Sequence, residues 1–292
     1  MSDNIVHIVV IADDGFMEPS IVMLTSAKEN KKVDSHYRIH FIYNHVSRLY
    51  KAKLKELHAP DFEIVEYDVP EKSYFEEVNI KIHVTPTTFL KLEIPEILRD
   101  VDKVIHIDGD VIVQGDLSQM YNIELADNVL GVVRSIRIEK SGLIQKMGIE
   151  KYFNAGIMLM NLDSMRRNGD SEKLIDMLRN IPEEWNMLEQ DCMNVYYKDR
   201  CLYLPIKYNC IHFTMIRDFT IDEVNDFYGT DYESYDEMVS DALMVHLAGT
   251  PGRRPWQISN GVHGATWQYY YDISPLRHIY RKRPDSACIA LN

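Results

Sequence analysis

The apolar run Val104-Ile105-His106-Ile107 passes directly into Asp108-Gly109-Asp110 and then into a second apolar run, Val111-Ile112-Val113. So short and β-rich a run reads as a buried strand, which puts two carboxylates at a strand end, where unpaired charge is expensive. Something cationic should sit between them. A hard divalent ion suits the position, because Mg2+ or Mn2+ takes carboxylate oxygens and keeps places open for phosphate and water. Taken alone, the tripeptide is also compatible with a turn in which Asp108 bonds local backbone N–H groups.

The rest of the chain sets that strand in a repeating order. Ile5 to Ala12 reads as a strand, Asp13 to Glu18 as a loop, and Pro19 as the first position of a helix carrying Ile21, Val22 and Leu24. A strand at Tyr37 to Asn44, a basic amphipathic helix around Ser47 to Leu57 and a strand at Phe62 to Tyr67 follow. A helical stretch ends at Pro95 to Leu98, then come strands at Lys103 to Ile107, Val129 to Val133 and Ile157 to Met160. This order predicts an α/β fold with a mostly parallel central sheet and helices on both faces, whose ligands bind outside the carboxyl ends of the strands. Asp13-Asp14 and Asp108-Gly109-Asp110 both fall at such ends, so they should share one crevice.

With 292 residues and 46% hydrophobic content, the chain can bury a large core in one domain, with room for a C-terminal appendage. The net charge of −13 argues against nonspecific binding of the body to nucleic acid or an anionic bilayer. Cys192, Cys201, Cys210 and Cys288 form no C-x-x-C pair and read as free thiols of a reducing compartment. The apolar stretch Ile5 to Ala12 is too short and too acidic in its flanks for a signal peptide or a membrane span, so the expected location is cytoplasmic.

No G-x-G-x-x-G follows the first strand and no G-x-x-x-x-G-K-[ST] occurs, which argues against a dinucleotide oxidoreductase and a P-loop NTPase. Phosphates would have to be held by a metal and by the late loop His246-Leu247-Ala248-Gly249-Thr250-Pro251-Gly252-Arg253-Arg254-Pro255-Trp256. There an imidazole can complete a metal site, glycines allow close backbone approach and arginines can neutralise a diphosphate. Phe153-Asn154-Ala155-Gly156 places an amide and small residues just before a buried strand, where a hydroxyl-rich ligand could be bound. Glu189-Gln190-Asp191 opens a helical stretch, a position that the helix dipole also favours for acids.

Taken together, Asp13-Asp14, Asp108-Gly109-Asp110, Phe153-Asn154-Ala155-Gly156, Glu189-Gln190-Asp191 and the loop His246 to Trp256 resemble, in order and approximate spacing, glycosyltransferase family 8. That family includes the bacterial lipopolysaccharide galactosyltransferases and glycogenin, and the resemblance runs from about Ile5 to Trp256. It implies a GT-A fold with a Rossmann-like sheet, a UDP-hexose donor (galactose or glucose), Mn2+ dependence with Mg2+ as the alternative, and transfer with retention to a glycan or glycoconjugate acceptor. By the same resemblance Asp108, Asp110 and His246 are the metal ligands. Asp13 matches the uracil contact and Phe16 the ring that stacks on the base. Lys91 takes the place of an arginine that reaches the donor, with Gly109 and Ala155 beside it. Asn154, Glu189 and Gln190 match residues around the hexose, and Gly249 and Arg254 those on the diphosphate.

Four departures matter. Lys91 replaces a bidentate fork by a point charge, Gly15 stands for the usual asparagine, Glu189 for an aspartate, and two extra residues in the late loop let Arg253 compete for the role given to Arg254. Gln190 is the candidate at the reacting face. An amide is a poor nucleophile, which favours same-face attack with Gln190 stabilising an oxocarbenium-like carbon, while a covalent route through Glu189 or Asp191 stays open.

The expected organisation is a catalytic domain over 1–256 and an aromatic, basic extension over 257–292. In the extension Trp267, Tyr269, Tyr270, Tyr271 and Tyr280 adjoin Arg281-Lys282-Arg283, a combination that suits weak peripheral contact with an inner membrane face, or packing of the rings onto the body. Acceptor-side segments are expected at Asn79 to Thr87, Arg134 to Glu150 and Ile211 to Tyr235, for a glycan, glycolipid or glycoprotein. The competing classes are a retaining glycoside hydrolase, which would need two carboxyls about 5–5.5 Å apart, a non-catalytic UDP-sugar-binding or carbohydrate-binding protein, and a structural interaction protein.

Overall fold

A computed structural model of the chain describes residues 5–70, 72, 76, 78, 85–248, 254–257 and 261–279. The β-branched, largely apolar runs form seven strands of one sheet: β1 (Ile5–Ala12), β2 (His36–Tyr43), β3 (Phe62–Asp68), β4 (Lys103–Ile107), β6 (Leu130–Arg134), β7 (Phe153–Asn161) and β8 (Cys201–Tyr203). Two three-residue strands, β5 (Val111–Val113) and β9 (Met244–His246), pair antiparallel in a sheet of their own. The order in the large sheet is β3-β2-β1-β4-β7-β6-β8, and β7 alone opposes its neighbours. This is the GT-A architecture, a Rossmann-like sheet with one reversed strand.

Alternation along β1 separates two cores. Val6, Ile8, Val10 and Ala12 point to one face, packed with Ile21, Val22 and Leu24 of helix α1 (Met17–Asn30). Val9 points to the other, packed with Phe89, Leu90 and Leu92 of the 3-10 segment Pro86–Glu93 and with Cys192 and Met193 of the helix Glu189–Tyr196. A sheet covered on both faces explains why its strands read as nearly continuous apolar runs. Three of the exceptions group together: His7, His40 and Tyr67, on β1, β2 and β3, bond one another in series, at 2.9 Å and 3.0 Å. Basic helix α2 (Arg48–Lys55) follows its N-cap Ser47.

Two boundaries differ from expectation. α1 begins at Met17, after a 3-10 turn over Asp14–Phe16, so Pro19 is its third residue. The first turn has no intrahelical partner for its N–H groups, and a proline there costs nothing. β7 begins at Phe153, so Asn154, Ala155 and Gly156 lie inside the strand rather than before it, at the end where the pairing with β6 shifts register.

The described C-terminal residues, 261–279, add to the main core. In the helix Gly264–Ile273, Trp267 and Tyr271 are buried, Leu276 beyond it is buried too, and Tyr270 Oη accepts a 2.7 Å hydrogen bond from Asn30 at the end of α1. Tyr269 faces solvent. Gly249, Arg253, Tyr280, Arg281, Lys282, Arg283 and Cys288 lie outside the described residues. Cys192, Cys201 and Cys210 are free thiols. Among the described residues, no helix is long and apolar enough to cross a membrane.

Asp116 ties three elements together beyond β5. Its carboxylate accepts from Lys32 N–H at 2.7 Å, Tyr37 Oη at 3.2 Å and Ser118 N–H at 2.9 Å. Burial alone would raise its pKa, but the Ser118 and Ser35 hydroxyls, with the Lys32 and Ser118 N–H groups, outweigh it and hold the group at about 2. Because the folded value lies below the ordinary 3.8, the stabilisation is complete above that value and is lost as pH falls towards 2. Asp116→Ala should lower stability by about 1–3 kcal/mol in urea unfolding at neutral pH, and the decline between pH 4 and 2 should become shallower. An unchanged midpoint and an unchanged acid slope would show that the carboxylate carries no such load.

Candidate active site

The small sheet assembles the acidic centre. Val111 pairs with His246 in the β5–β9 register, and Leu247 N–H donates to the Asp110 carbonyl at 2.7 Å, which brings His246 beside Asp110 although the two are far apart in the chain. On the other side, Asp108 N–H donates to the Gly156 carbonyl at 2.7 Å, so the start of β7 lies against the Asp-Gly-Asp turn. A Cβ at Gly109 would collide with Ser20 Oγ, and one at Gly156 with His246 Cε1. Both glycines are therefore required by close approach and not by turn conformation.

Asp108, Asp110 and His246 each offer a ligand atom, all within 4.8 Å of one another. Two carboxylate oxygens and an imidazole nitrogen could hold a divalent metal ion, and cations line the rim of the group. Lys91 Nζ lies 2.9 Å from Asp108 Oδ1 and Arg254 Nη2 3.8 Å from Asp110 Oδ2, while His246 Nε2 lies 3.2 Å from Asp110 Oδ1. Burial would raise the Asp110 pKa, but His246 and Arg254 overcome it and keep the carboxyl ionised, at about 2. Burial likewise works against charge on Lys91, and Asp108 and Glu189 outweigh it, so its pKa is raised. Behind Asp108, fully buried His106 has no hydrogen-bond partner for either ring nitrogen, and burial, with Lys91 and His246 nearby, keeps it neutral.

One cavity is lined by Asp13, Phe16, Lys91, Asp108, Gly109, Asp110, Asn154, Glu189, Gln190, His246 and Arg254. Thr88 and Met187 also line it, and neither was singled out by sequence. Thr88 Oγ1 donates to Glu189 Oε1 at 2.9 Å, and Lys91 Nζ lies 3.8 Å from the same oxygen. A 3-10 spacing of three residues puts Thr88 and Lys91 on one side of their segment, a signal that could have identified the threonine. Glu189 is buried, and burial raises its pKa against the opposing effects of Lys91 and Thr88.

Gln190 is held at both ends. Its Oε1 accepts from Ala155 N–H at 2.9 Å and Asn154 Nδ2 at 3.1 Å, and its Nε2 donates to Tyr152 Oη at 2.9 Å. One turn further on, Asn194 bonds both backbone groups of Phe153, fastening the helix to β7. Asp191, a candidate nucleophile by sequence, is fully buried and does not line the cavity. Its carboxylate accepts from Tyr152 Oη at 2.5 Å and Met187 N–H at 2.7 Å, so it supports the tyrosine that orients Gln190. A helical phase explains the difference, because adjacent residues point about 100° apart and only Glu189 and Gln190 face the cavity. Leu188, just before the helix, has φ 49° and ψ −115°, a conformation that costs a bulky residue about 1–3 kcal/mol. The strained turn aims Glu189 and Gln190 together.

On the far side, Asp13 accepts from Phe16 N–H at 3.2 Å, while Asp14 turns away to accept from Ser47 N–H at 2.8 Å. The Phe16 ring, expected to receive a base, carries the Arg254 guanidinium at 5.1 Å from its centroid, and Trp256 flanks the same guanidinium at 5.4 Å. Trp256 in turn contacts Trp267, so this ring rests on the helix Gly264–Ile273.

Close packing at Gly156 gives a direct check. Gly156→Ala should leave the far-UV spectrum unchanged and weaken Mn2+ binding at least tenfold, since the new methyl displaces the His246 ring and crowds Asp108. Wild-type Mn2+ affinity in the variant would contradict this packing.

A family model for glycosyl transferase family 8 matches residues 7–259. The chain belongs to glycosyltransferase family 8. It is similar to General stress protein A of Bacillus subtilis, at 24% identity over 93% of this chain and 94% of that protein. It is also similar to the lipopolysaccharide 1,2-glucosyltransferase of Escherichia coli, at 23% identity over 93% of this chain and 79% of the relative. The solved structure of the galactosyltransferase LgtC, in complex with donor and acceptor sugar analogues, shares the fold with TM-score 0.76 and 22% identity, over 92% of this chain and 96% of that one. The family 8 match begins in β1 and ends just beyond Trp256, spanning every residue that lines the cavity.

Proposed function

We propose that the protein transfers a hexose, galactose or glucose, from a UDP-sugar to a glycan, glycolipid or glycoprotein acceptor, with retention and with Mn2+ or Mg2+ as cofactor. The observation that carries this reading is the convergence of Asp108, Asp110 and His246 with Lys91, Glu189, Gln190 and Arg254 in one cavity at the carboxyl ends of β1 and β4. A bound divalent ion would be held by Asp108, Asp110 and His246 and would supply positive charge to the departing diphosphate. Arg254, with Gly249, serves the same diphosphate, and in doing so it leaves the Phe16 face to the uracil, which Asp13 also addresses.

On the sugar side, Glu189 accepts from hexose hydroxyls while Thr88 and Lys91 hold its carboxylate. Asn154 and Gly109 border the same space, while Ala155 lies behind the lining and holds the Gln190 oxygen through its N–H. Gln190 presents its amide to the anomeric carbon as positive charge develops there. Asp191 stands behind Tyr152, which leaves a covalent route only to Glu189, and the contacts of Glu189 with Thr88 and Lys91 suit hydroxyl binding instead. The reading is therefore same-face attack. The acceptor hydroxyl forms the new glycosidic bond as the bond to diphosphate breaks, and the leaving diphosphate oxygen takes the acceptor's proton. Residues 1–256 act as the catalytic unit, supported by the helix Gly264–Ile273. A cytoplasmic location, with weak contact of the basic tail at an inner membrane face, fits a lipid-linked acceptor.

The test is a screen of UDP-galactose, UDP-glucose and other UDP-sugars against glycan and glycolipid acceptors, with the product anomer read by proton NMR. An α-linked product from an α-linked donor supports the reading, and a β-linked product overturns retention.

A further inference from the structure

The hydrogen-bond pattern behind the cavity assigns a ring tautomer and, with it, a role for Asn209. Gly156 N–H donates to Asn154 Oδ1 at 3.0 Å, and because a backbone N–H can only donate, the atom it meets must be the amide oxygen. Asn209 approaches that same oxygen at 3.0 Å and must do so with its NH2 group. The Asn209 oxygen is then the atom 3.0 Å from His246 Nδ1, and an amide oxygen can only accept. Nδ1 therefore carries a proton, and Nε2 is the nitrogen turned to Asp110, at 3.2 Å, and to the place of a metal ion.

The same logic runs the other way along the chain of amides. Ala155 N–H fixes the Gln190 oxygen, so Asn154 presents NH2 to it, at 3.1 Å. Asn209 is 1% exposed and stands where Cys210 bridges β9, His246 N–H donating to the Cys210 carbonyl at 2.9 Å. It does not line the cavity. Removing it would orphan His246 Nδ1–H and take from Asn154 one of its three bonds.

We propose that Asn209 is a positioning residue that fixes His246 with Nε2 turned to the metal and, through Asn154, ties that ring to the Gln190 amide. The proposal rests on the metal reading of Asp108, Asp110 and His246. It also separates two variants that a purely structural residue would not. Asn209→Asp keeps an acceptor for Nδ1–H and loses the donor to Asn154, whereas Asn209→Ala loses both.

The first measurement needs no variant. Long-range proton–nitrogen NMR of the metal-free protein, with the His246 signals assigned by their loss in His246→Gln, should show a proton held on Nδ1. A ring whose Nδ1 carries no proton would overturn the proposal. In the second, Mn2+ binding followed by electron paramagnetic resonance should weaken about 10–100-fold in Asn209→Ala and stay within about threefold of wild type in Asn209→Asp, while kcat in Asn209→Asp falls about tenfold at saturating Mn2+. Wild-type Mn2+ affinity in Asn209→Ala, or equal losses of affinity and kcat in both variants, would also overturn it. No Mn2+ binding by the wild-type protein would defeat the metal reading alone, since the tautomer is read without metal.

Discussion

Asp110→Ala should lose turnover by about a thousandfold or more while the protein stays folded. Asp110 is buried between His246 and Arg254, and no other described carboxylate stands beside Asp108 and His246 to replace it. The fold should survive, because β5 and β9 are joined through backbone bonds, the Leu247 N–H to Asp110 carbonyl bond included, that the side chain does not make. Asp108→Ala and His246→Ala should behave alike, with Asp108→Ala also leaving Lys91 without its 2.9 Å partner. Steady-state rates across Mn2+ concentrations, with thermal unfolding as the control, check this. Full activity of Asp110→Ala in the presence of a chelator would refute the assignment of the ligands.

Gln190→Ala should lower kcat about a hundredfold and change donor KM no more than about threefold, because its proposed contribution arises as charge develops at the anomeric carbon. Tyr152→Phe is the companion. It removes the hydroxyl that Gln190 Nε2 donates to and leaves the Ala155 N–H and Asn154 contacts in place, so it should cost about tenfold in kcat, the equivalent of one hydrogen bond. A hundredfold rise in KM with unchanged kcat in Gln190→Ala would make Gln190 a binding residue only.

What the sequence disclosed and what it withheld divide along physical lines. The strand Lys103–Ile107 and the turn that follows it were legible because a short β-rich run between charged residues has few other uses, and β1 and β2 were legible from eight-residue patterns. β9 was not, since three residues are too few to show a period. Its pairing with β5, which brings His246 to Asp110, is a contact between distant segments that no local pattern encodes; His246 was reached by resemblance instead. The tripeptide Glu189-Gln190-Asp191 was correctly placed at a helix start, but which of its side chains enter the cavity depends on the strained Leu188 turn. Thr88, Tyr152 and Asn209 were missed for a related reason. Each acts by bonding another side chain, and a lone threonine, tyrosine or asparagine in a sequence has many ordinary uses.

The late loop is the clearest instance of sequence and structure each giving half. Arg254 was expected on a diphosphate and Phe16 on a base, and the structure stacks one on the other, with Trp256 beyond. Both groups border the cavity, and their mutual contact links the base side to the acidic centre through Asp110.

The most direct test of the central claim is release of UDP from a UDP-hexose, followed over time in Mn2+, after a chelator is added, and after Mn2+ is restored. Release should stop with the chelator and resume with the metal in the wild-type protein, and Asp110→Ala should release none. Release that continues unchanged in the chelator, or that Asp110→Ala sustains at the wild-type rate, would contradict it.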